Sequence, residues 1–129
     1  MTAPRMPCVV IVDDNDDVAE ALQLFFGLAG YETHIANSAA AAIAACTAVA
    51  ARGAVADLML LDLSLPDAGG LAALQAATAS GVRPRVTVAL TGHTDPATAA
   101  ECRAAGCREV VIKPVGIRDL VARAAAWLA

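Results

Sequence analysis

The sequence has few aromatic and few basic side chains, and each shortage argues against a class of protein. Phe, Trp and Tyr together make up 3% of the 129 residues, too few to build the aromatic surfaces that stack on single-stranded nucleic acids. Nine Lys and Arg stand against 13 Asp and Glu, for a net charge of −4, whereas a nucleic-acid-binding face needs excess cations to neutralise phosphates. We therefore expect no nucleic-acid partner.

The sequence also lacks an apolar run suited to a membrane or to export. The longest stretch without a formal charge, residues 33–51, contains His34, Asn37 and Ser38 and few large aliphatic side chains, so a helix of a soluble domain explains it better than a membrane span. The apolar run at residues 8–12 is too short for a signal peptide and ends in acids. We expect a cytoplasmic protein without a membrane partner.

Cysteine is present, but not in a pattern typical of metal or redox chemistry. The four cysteines are Cys8, Cys46, Cys102 and Cys107, and no two of them form a C-x-x-C pair. In a reducing compartment the simplest expectation is four buried thiols that neither bind a metal nor form disulfides.

Five short aliphatic runs alternate with alanine-rich helical segments. The runs lie at residues 8–12, 33–36, 58–61, 86–90 and 110–112, and the strongest of them are continuous, as in parallel strands buried on both faces. Five strand–helix pairs with right-handed crossovers predict an α/β fold of (βα)5 type, a three-layer sandwich. The length fits one domain spanning residues 1–129, with a core at about 8–128 and no effector domain in this chain.

The helical segments carry recognisable faces and ends. Asp14, Asn15 and Asp16 are candidate N-caps of the first helix, Ser38 is a candidate cap of the second, and Asp95 before a proline is a candidate cap of the fourth. Spacings of three and four residues predict that the buried face of the first helix consists of Val18, Leu22, Phe25 and Ala29.

Reactive side chains stand where four of the five predicted strands end. Asp13 and Asp14 follow the first strand, Asp62 the third, Thr91 the fourth and Lys113 the fifth. The carboxyl ends of parallel strands share one edge of the sheet, where open α/β folds bind ligands. Lys113 is also the only lysine in the chain, and its position at a strand end argues against a merely solubilising role.

These side chains fit phosphoryl chemistry. Carboxylates held close together raise each other's pKa values, and a divalent cation relieves that repulsion. Oxygen ligands without His or Cys favour Mg²⁺, while Lys113 and the Thr91 hydroxyl suit the far side of a bound phosphoryl group. Asp62 is then the natural nucleophile, because a carboxylate can accept a phosphoryl group as an acyl phosphate.

Simpler explanations exist for each residue alone. Asp16 and Asp17 are better explained by the start of a helix than by metal ligation. A turn explains Thr91 alone as well as a site does, and an incidental strand end is an alternative explanation of Lys113. We expect His93 to be a solvated loop residue rather than part of the site. The predicted convergence of acids, hydroxyl and ammonium at one edge would nevertheless require four coincidences, so we favour a phosphoacceptor site.

Four motifs in order make the sequence resemble the receiver domains of two-component response regulators, over residues 8–128. They are IVDDN at 11–15, LLDLSLP at 60–66, ALTG at 89–92 and VIKP at 111–114. The resemblance implies a flavodoxin-like sheet in the order 2-1-3-4-5. It also implies a bacterial signalling phosphoprotein that takes part in its own phosphorylation but is no small-molecule enzyme.

The resemblance further implies a role for each site residue. Asp62 accepts the phosphoryl group from a sensor histidine kinase or a histidine phosphotransfer protein. Asp13, Asp14, Asp62 and the backbone carbonyl of Ser64 hold Mg²⁺, for which Mn²⁺ can substitute. Thr91 and Lys113 contact the phosphoryl oxygens. Output passes to a downstream protein through the fourth helix, the fifth strand and the fifth helix.

One departure from the family pattern concerns switching. Receivers usually carry an aromatic residue three positions before the lysine, and Val110 stands there. The position after the Lys-Pro pair, often aromatic in the family, is Val115. We therefore expect phosphorylation chemistry without the usual aromatic switch.

Two functions from other classes compete with this one. A Mg²⁺-dependent phosphohydrolase with an aspartyl nucleophile would use similar groups, but it typically has its nucleophile at the first strand and a second acid two residues on, whereas Asp13 and Asp14 are adjacent. A flavin or nucleotide carrier would need a loop rich in backbone and hydroxyl donors after the first strand. The acids present there would repel a phosphate that lacks a metal.

Overall fold

Five strands and five helices alternate along the chain. The structure, a computed structural model, describes residues 6–65, 70–92 and 96–129. The strands are β1 (Cys8–Val12), β2 (Glu32–Ala36), β3 (Leu58–Asp62), β4 (Val86–Thr91) and β5 (Glu109–Ile112). The helices are α1 (Asp16–Leu28), α2 (Ala39–Ala51), α3 (Gly70–Ala79), α4 (Pro96–Ala104) and α5 (Ile117–Trp127). None of the helices in these ranges has the length and apolar character that crossing a membrane requires.

The strands form one sheet in the order β2-β1-β3-β4-β5, and every neighbouring pair is parallel. This confirms the predicted (βα)5 flavodoxin-like fold. The chain passes from β1 to β2 on one side and then to β3 on the other, so the strand order reverses at β1 and β3. Ligand sites of open α/β sheets lie at such a reversal.

Alternate residues along each strand face opposite sides of the sheet and contribute to two separate cores. The sheet and the helices on its two sides form the three predicted layers. Val10 and Met59 face a core that includes residues of α2, α3 and α4, whereas Ile11 and Leu60 face one that includes α1 and α5. All five residues of β1 are buried, as expected for a strand covered on both faces. The four cysteines are buried and free, as the sequence predicted.

The buried face of helix α1 is shifted by about one residue from the predicted one, which shares Leu22 with it. Ala19, Leu22 and Phe26 are buried, while the predicted Val18 is 38% exposed. Two adjacent phenylalanines let the periodicity fit either of two neighbouring stripes, and tertiary contacts decide between them. The Phe26 ring packs edge-on against Tyr31 at a centroid distance of 5.2 Å, and Phe25 lies instead beneath a guanidinium of α5.

The helix starts follow from short polar side chains. Asn15 caps α1 by accepting a hydrogen bond from the Val18 N–H at 3.1 Å. Ser38 caps α2 in the same way, as predicted. Asp16 and Asp17 lie in the first turn of α1, where their charges stabilise the positive end of the helix dipole. The predicted cap Asp95 lies outside the described residues.

A buried acid that the sequence analysis missed joins three strands at their amino-terminal ends. Asp57, just before β3, is 3% exposed. Its Oδ2 accepts a hydrogen bond from the Cys8 N–H at 2.7 Å, and its Oδ1 pairs with Nη1 of Arg85 at 2.9 Å. The carboxylate therefore satisfies the first N–H of β1 and carries an ion pair to the residue before β4.

We predict that Asp57→Ala destabilises the protein by about 2–3 kcal/mol, because the buried Cys8 N–H loses a charged acceptor. Asp57→Asn keeps an acceptor oxygen and should lose only about 1 kcal/mol. Urea unfolding followed by circular dichroism measures both values. Asp119→Asn, at an exposed position on α5, is the control, and a loss in Asp57→Ala no larger than in this control would contradict the role of the carboxylate.

Candidate functional site

The predicted site residues meet at the carboxyl edge of the sheet. Asp13 directly follows β1, Asp62 and Thr91 are the last residues of β3 and β4, and Lys113 follows β5. The predicted third and fourth strands stopped one residue too early, because the ladder continues through the pairs Asp62 with Leu90 and Thr91 with Ile112. The Lys113 N–H donates to the Thr91 carbonyl at 2.7 Å, which fixes where the lysine leaves the sheet.

Three carboxylates and one ammonium lie together at this edge. Carboxylate oxygens of Asp13, Asp14 and Asp62 all lie within 4.8 Å of one another. Asp13 and Asp62 are each 2% exposed, whereas Asp14 is exposed. Nζ of Lys113 lies 3.2 Å from Oδ2 of Asp62 and 3.7 Å from Oδ2 of Asp13. The predicted convergence of these four side chains is therefore present.

Local contacts favour the carboxylate form of Asp62. Burial acts to raise its pKa, but hydrogen bonds from the backbone N–H and hydroxyl of Ser64, together with the Lys113 ammonium, outweigh burial, so the pKa of Asp62 lies below its ordinary value. The Ser64 N–H and Oγ donate to Oδ1 at 3.0 and 2.8 Å. The expectation that carboxylate repulsion raises this pKa was wrong for Asp62, because local donors dominate.

Asp13 has the opposite character. Burial is the largest cause of its raised pKa, the Asn15 N–H and the Lys113 ammonium oppose the shift, and Asp62 and Asp14 add to it. The predicted direction is thus confirmed for Asp13, although repulsion is not its main cause. Oδ1 accepts a hydrogen bond from the Asn15 N–H at 2.9 Å. Oδ2 is buried and has no hydrogen-bond partner within the described parts of the chain.

These residues fit a divalent cation with oxygen ligands. Oδ2 of Asp13, which accepts no hydrogen bond from the described residues, belongs to a carboxylate that lies beside two others, and hard oxygen donors are what Mg²⁺ prefers. The N–H and hydroxyl of Ser64 both contact Asp62, while metal ligation by its carbonyl stays a prediction.

The hydrogen bonds that orient Asp13 and Asp62 had a signal in the sequence. Asp13 accepts from the N–H of Asn15, and Asp62 accepts from the N–H of Ser64, in each case two residues on. This is the Asx-turn geometry favoured by Asp in D-x-N and D-x-S segments. The same local turn therefore orients both buried carboxylates.

A depression of about 290 Å³ opens beside Asp62. Its lining consists of Asp62, Leu63, Ser64, Thr91, Gly92 and Lys113. Thr91, at the end of β4, and Lys113 therefore border the same space as the Asp62 carboxylate. This space has room for a group of phosphoryl size. His93, expected to be a solvated loop residue, lies outside the described residues, as do residues 66–69.

Comparisons with known proteins agree on one family. The model of the response regulator receiver domain matches residues 9–125. "Transcriptional regulatory protein AruR" of Pseudomonas aeruginosa is 35% identical over 120 residues, which cover 92% of this chain and 48% of that protein. "Regulatory protein AtoC" of Escherichia coli is 31% identical over 112 residues, covering 87% of this chain and 23% of that protein. The chain thus spans about a quarter to a half of these relatives.

A solved structure has the same fold. The crystal structure of a response regulator receiver domain protein (CheY-like) from Methanospirillum hungatei superposes with a TM-score of 0.81 at 25% identity. The match covers 96% of this chain and 94% of that one.

We predict that Asp13→Asn stabilises the metal-free protein by on the order of 1 kcal/mol, because it removes a buried charge and keeps an acceptor for the Asn15 N–H. Asp14→Asn should gain less, since Asp14 is exposed. Urea unfolding in EDTA measures both. The pKa of Asp13 is raised in the folded state, so its ionisation removes stability as pH rises, and the advantage of Asp13→Asn should shrink toward acidic pH. A destabilised Asp13→Asn would mean that the charge itself holds the site together.

Proposed function

The chain belongs to the response regulator receiver domain family, and we propose that it is the phosphoacceptor of a two-component or phosphorelay signalling system. Receiver domains are signalling modules rather than small-molecule enzymes. One observation carries the proposal: the Asp62 carboxylate lies 3.2 Å from the Lys113 ammonium and within a cluster of two further acids. Neither a turn nor a helix cap would require three acids and an ammonium to lie together.

The reaction that we assign is phosphoryl transfer to Asp62 from the phosphohistidine of a sensor histidine kinase or a histidine phosphotransfer protein. A carboxylate oxygen of Asp62 attacks phosphorus and forms the O–P bond of an acyl phosphate. The P–N bond breaks, its electron pair returns to the imidazole, and the ring takes up a proton to leave as neutral histidine. The lowered pKa of Asp62 supports this role, because only the carboxylate is nucleophilic.

Lys113 and Thr91 receive the transferred group in this proposal. The ammonium, now paired with Asp62 and Asp13, turns to a phosphoryl oxygen and balances its charge. The Thr91 hydroxyl contacts another oxygen from the end of β4. Both residues line the same depression as Asp62, which supports a shared ligand.

We assign a Mg²⁺ site to Asp13, Asp14, Asp62 and the backbone carbonyl of Ser64, with Mn²⁺ as a substitute. The buried Oδ2 of Asp13 accepts no hydrogen bond within the described parts of the chain, and this supports the assignment. When bound, the ion neutralises charge on the phosphoryl oxygens. Carboxylate oxygens of Asp13 and Asp14 lie within 4.8 Å of one of Asp62, so their charges would repel a phosphoryl group arriving at Asp62 unless a cation were held there.

Output is proposed to pass through the face formed by α4, β5 and α5, with a protein partner. Ile112 of β5 is 41% exposed and Val110 is partly buried on the same strand. The acidic net charge favours a protein over a nucleic acid as the ligand of this chain. The partners and activity of any longer protein that contains such a chain would be set by further segments as well.

We predict that acetyl phosphate with Mg²⁺ adds one phosphoryl group to the wild type, and that Asp62→Asn abolishes the addition, because an amide is not a competent nucleophile. Intact-mass spectrometry measures the product. Asp119→Asn, an acid on the exposed side of α5, should be modified as fully as the wild type.

Two results would contradict this assignment. Full modification of Asp62→Asn would move the acceptor elsewhere. Continuous turnover of a generic phosphomonoester by the wild type, lost in Asp62→Asn, would instead favour the competing phosphohydrolase. A receiver either keeps its acyl phosphate or hydrolyses it, and it does not use phosphomonoesters as substrates.

A further prediction concerns Val110, which replaces the usual aromatic residue of the switch. Beryllofluoride, a phosphoryl mimic, should shift amide resonances around Asp62, Thr91 and Lys113 and leave the outer surface of β5 nearly unchanged. Val110→Tyr should enlarge the outer response, because a ring that packs inward or outward provides the two arrangements that switching needs. Amide shift mapping of both proteins, with and without the mimic, is the measurement. Equally large shifts over α4 and β5 in wild type and Val110→Tyr would mean that the domain switches by another route.

A further inference from the structure

A second cluster of reactive side chains lies at the opposite, amino-terminal end of the strands. Cys8 is the first residue of β1 and pairs in register with Glu32, the first residue of β2. His34 follows two residues later on β2, so it shares a face of the sheet with Glu32. A thiol, a carboxylate and an imidazole atom of these residues all lie within 4.8 Å of one another.

The contacts within this cluster leave it accessible from one side. Nε2 of His34 lies 2.7 Å from Oε2 of Glu32, and both side chains are about one-third exposed. Cys8 is buried, and its sulfur lies within 4.8 Å of a Glu32 carboxylate oxygen. A cavity of about 440 Å³ borders Cys8, Glu32 and Arg52, so an ion and its water have a route in.

The donor set points to a class of metal. Thiolate, imidazole and carboxylate together suit borderline ions such as Zn²⁺, which binds four ligands tetrahedrally at about 2.0–2.3 Å. Three protein ligands leave one position for water. We propose that Cys8, Glu32 and His34 form a Zn²⁺ site that is independent of the phosphoacceptor site. Binding forms an S–Zn bond and releases the Cys8 thiol proton to solvent.

The charges around the cluster fit an exchangeable cation. Burial, followed by the Glu32 charge, raises the pKa of Cys8 to about 11, so the thiol is neutral without a metal. Glu32 is held by the Arg52 guanidinium and by His34. Arg52 is the C-cap of α2 and its side chain is half-exposed, so it can turn to water when a metal takes its place beside Glu32.

The sequence argued against this site, because its cysteines lack a C-x-x-C pair. Strand register supplies what the spacing did not: parallel pairing of β1 with β2 brings Cys8 and Glu32 side by side, and the period of two along a strand adds His34. A bound ion would tie the edge strand β2 to the centre of the sheet.

The test is titration of the full chain with Co²⁺, a spectroscopic stand-in for Zn²⁺, in excess Mg²⁺ so that the acidic cluster is not the reporter. We expect a thiolate-to-Co²⁺ charge-transfer absorption band that saturates at one Co²⁺ per chain. The band should disappear when Zn²⁺ displaces Co²⁺, and it should be absent in Cys8→Ala. His34→Gln should weaken Co²⁺ binding at least about tenfold, because loss of a group that merely hydrogen-bonds to a metal ligand already lowers metal affinity by about that factor. Arg52→Gln should tighten binding by removing a competing cation.

Matched controls separate this site from other sources of the signal. Cys46→Ala removes a buried thiol outside the cluster and should leave the band unchanged. Asp62→Asn should also leave it unchanged, whatever becomes of phosphorylation. Circular dichroism verifies folding, and His34→Gln, at a partly exposed position, keeps the test decisive if Cys8→Ala folds poorly. Absence of the band at millimolar Co²⁺, its survival in Cys8→Ala or unaltered affinity in His34→Gln would overturn the proposal.

Discussion

The arrangement at the carboxyl edge of the sheet depends on one ammonium group, that of Lys113. Two carboxylates there are almost fully buried, and burying unpaired charge is costly. Lys113 lies within 4 Å of both, at 3.2 Å from Asp62 and 3.7 Å from Asp13. A single positive charge cannot balance these acids together with Asp14, so the edge keeps a net negative charge. That excess is what suits it to a divalent cation.

The sequence predicted the fold and the membership of the carboxyl-edge cluster because both follow from strand order. Continuous aliphatic runs mark buried parallel strands, and whatever follows them must share an edge. Finer features depended on contacts that no periodicity encodes. The face of α1 was misplaced by about one residue because Phe25 and Phe26 fit the pattern equally well, and packing in the core, including the ring contact with Tyr31, selects Phe26. The pKa of Asp62 depends on the Ser64 donors, which repulsion arguments ignore.

The sequence analysis did not predict the side-chain contacts at the amino-terminal ends of the strands, for a related reason. Asp57 and Arg85 flank strands that lie far apart in the chain, and only the order β1-β3-β4 makes the pair a bridge to Cys8. The neighbourhood of Cys8, Glu32 and His34 likewise needs the register of β1 with β2. Motif searches look for ligands close in sequence, whereas a parallel sheet brings together residues that are a whole helix apart.

The order in which the carboxyl-edge cluster is completed has a consequence for biosynthesis. Asp13 comes from the end of β1, Asp62 from β3 and Lys113 from beyond β5, the last strand of the sheet. Contacts between such distant segments form late, because closing long loops costs chain entropy before the contacts repay it. A chain emerging from the ribosome therefore holds its acids without their counter-charge until β5 docks. Under the proposed function, competence to accept a phosphoryl group then marks a molecule in which all five strands have joined the sheet.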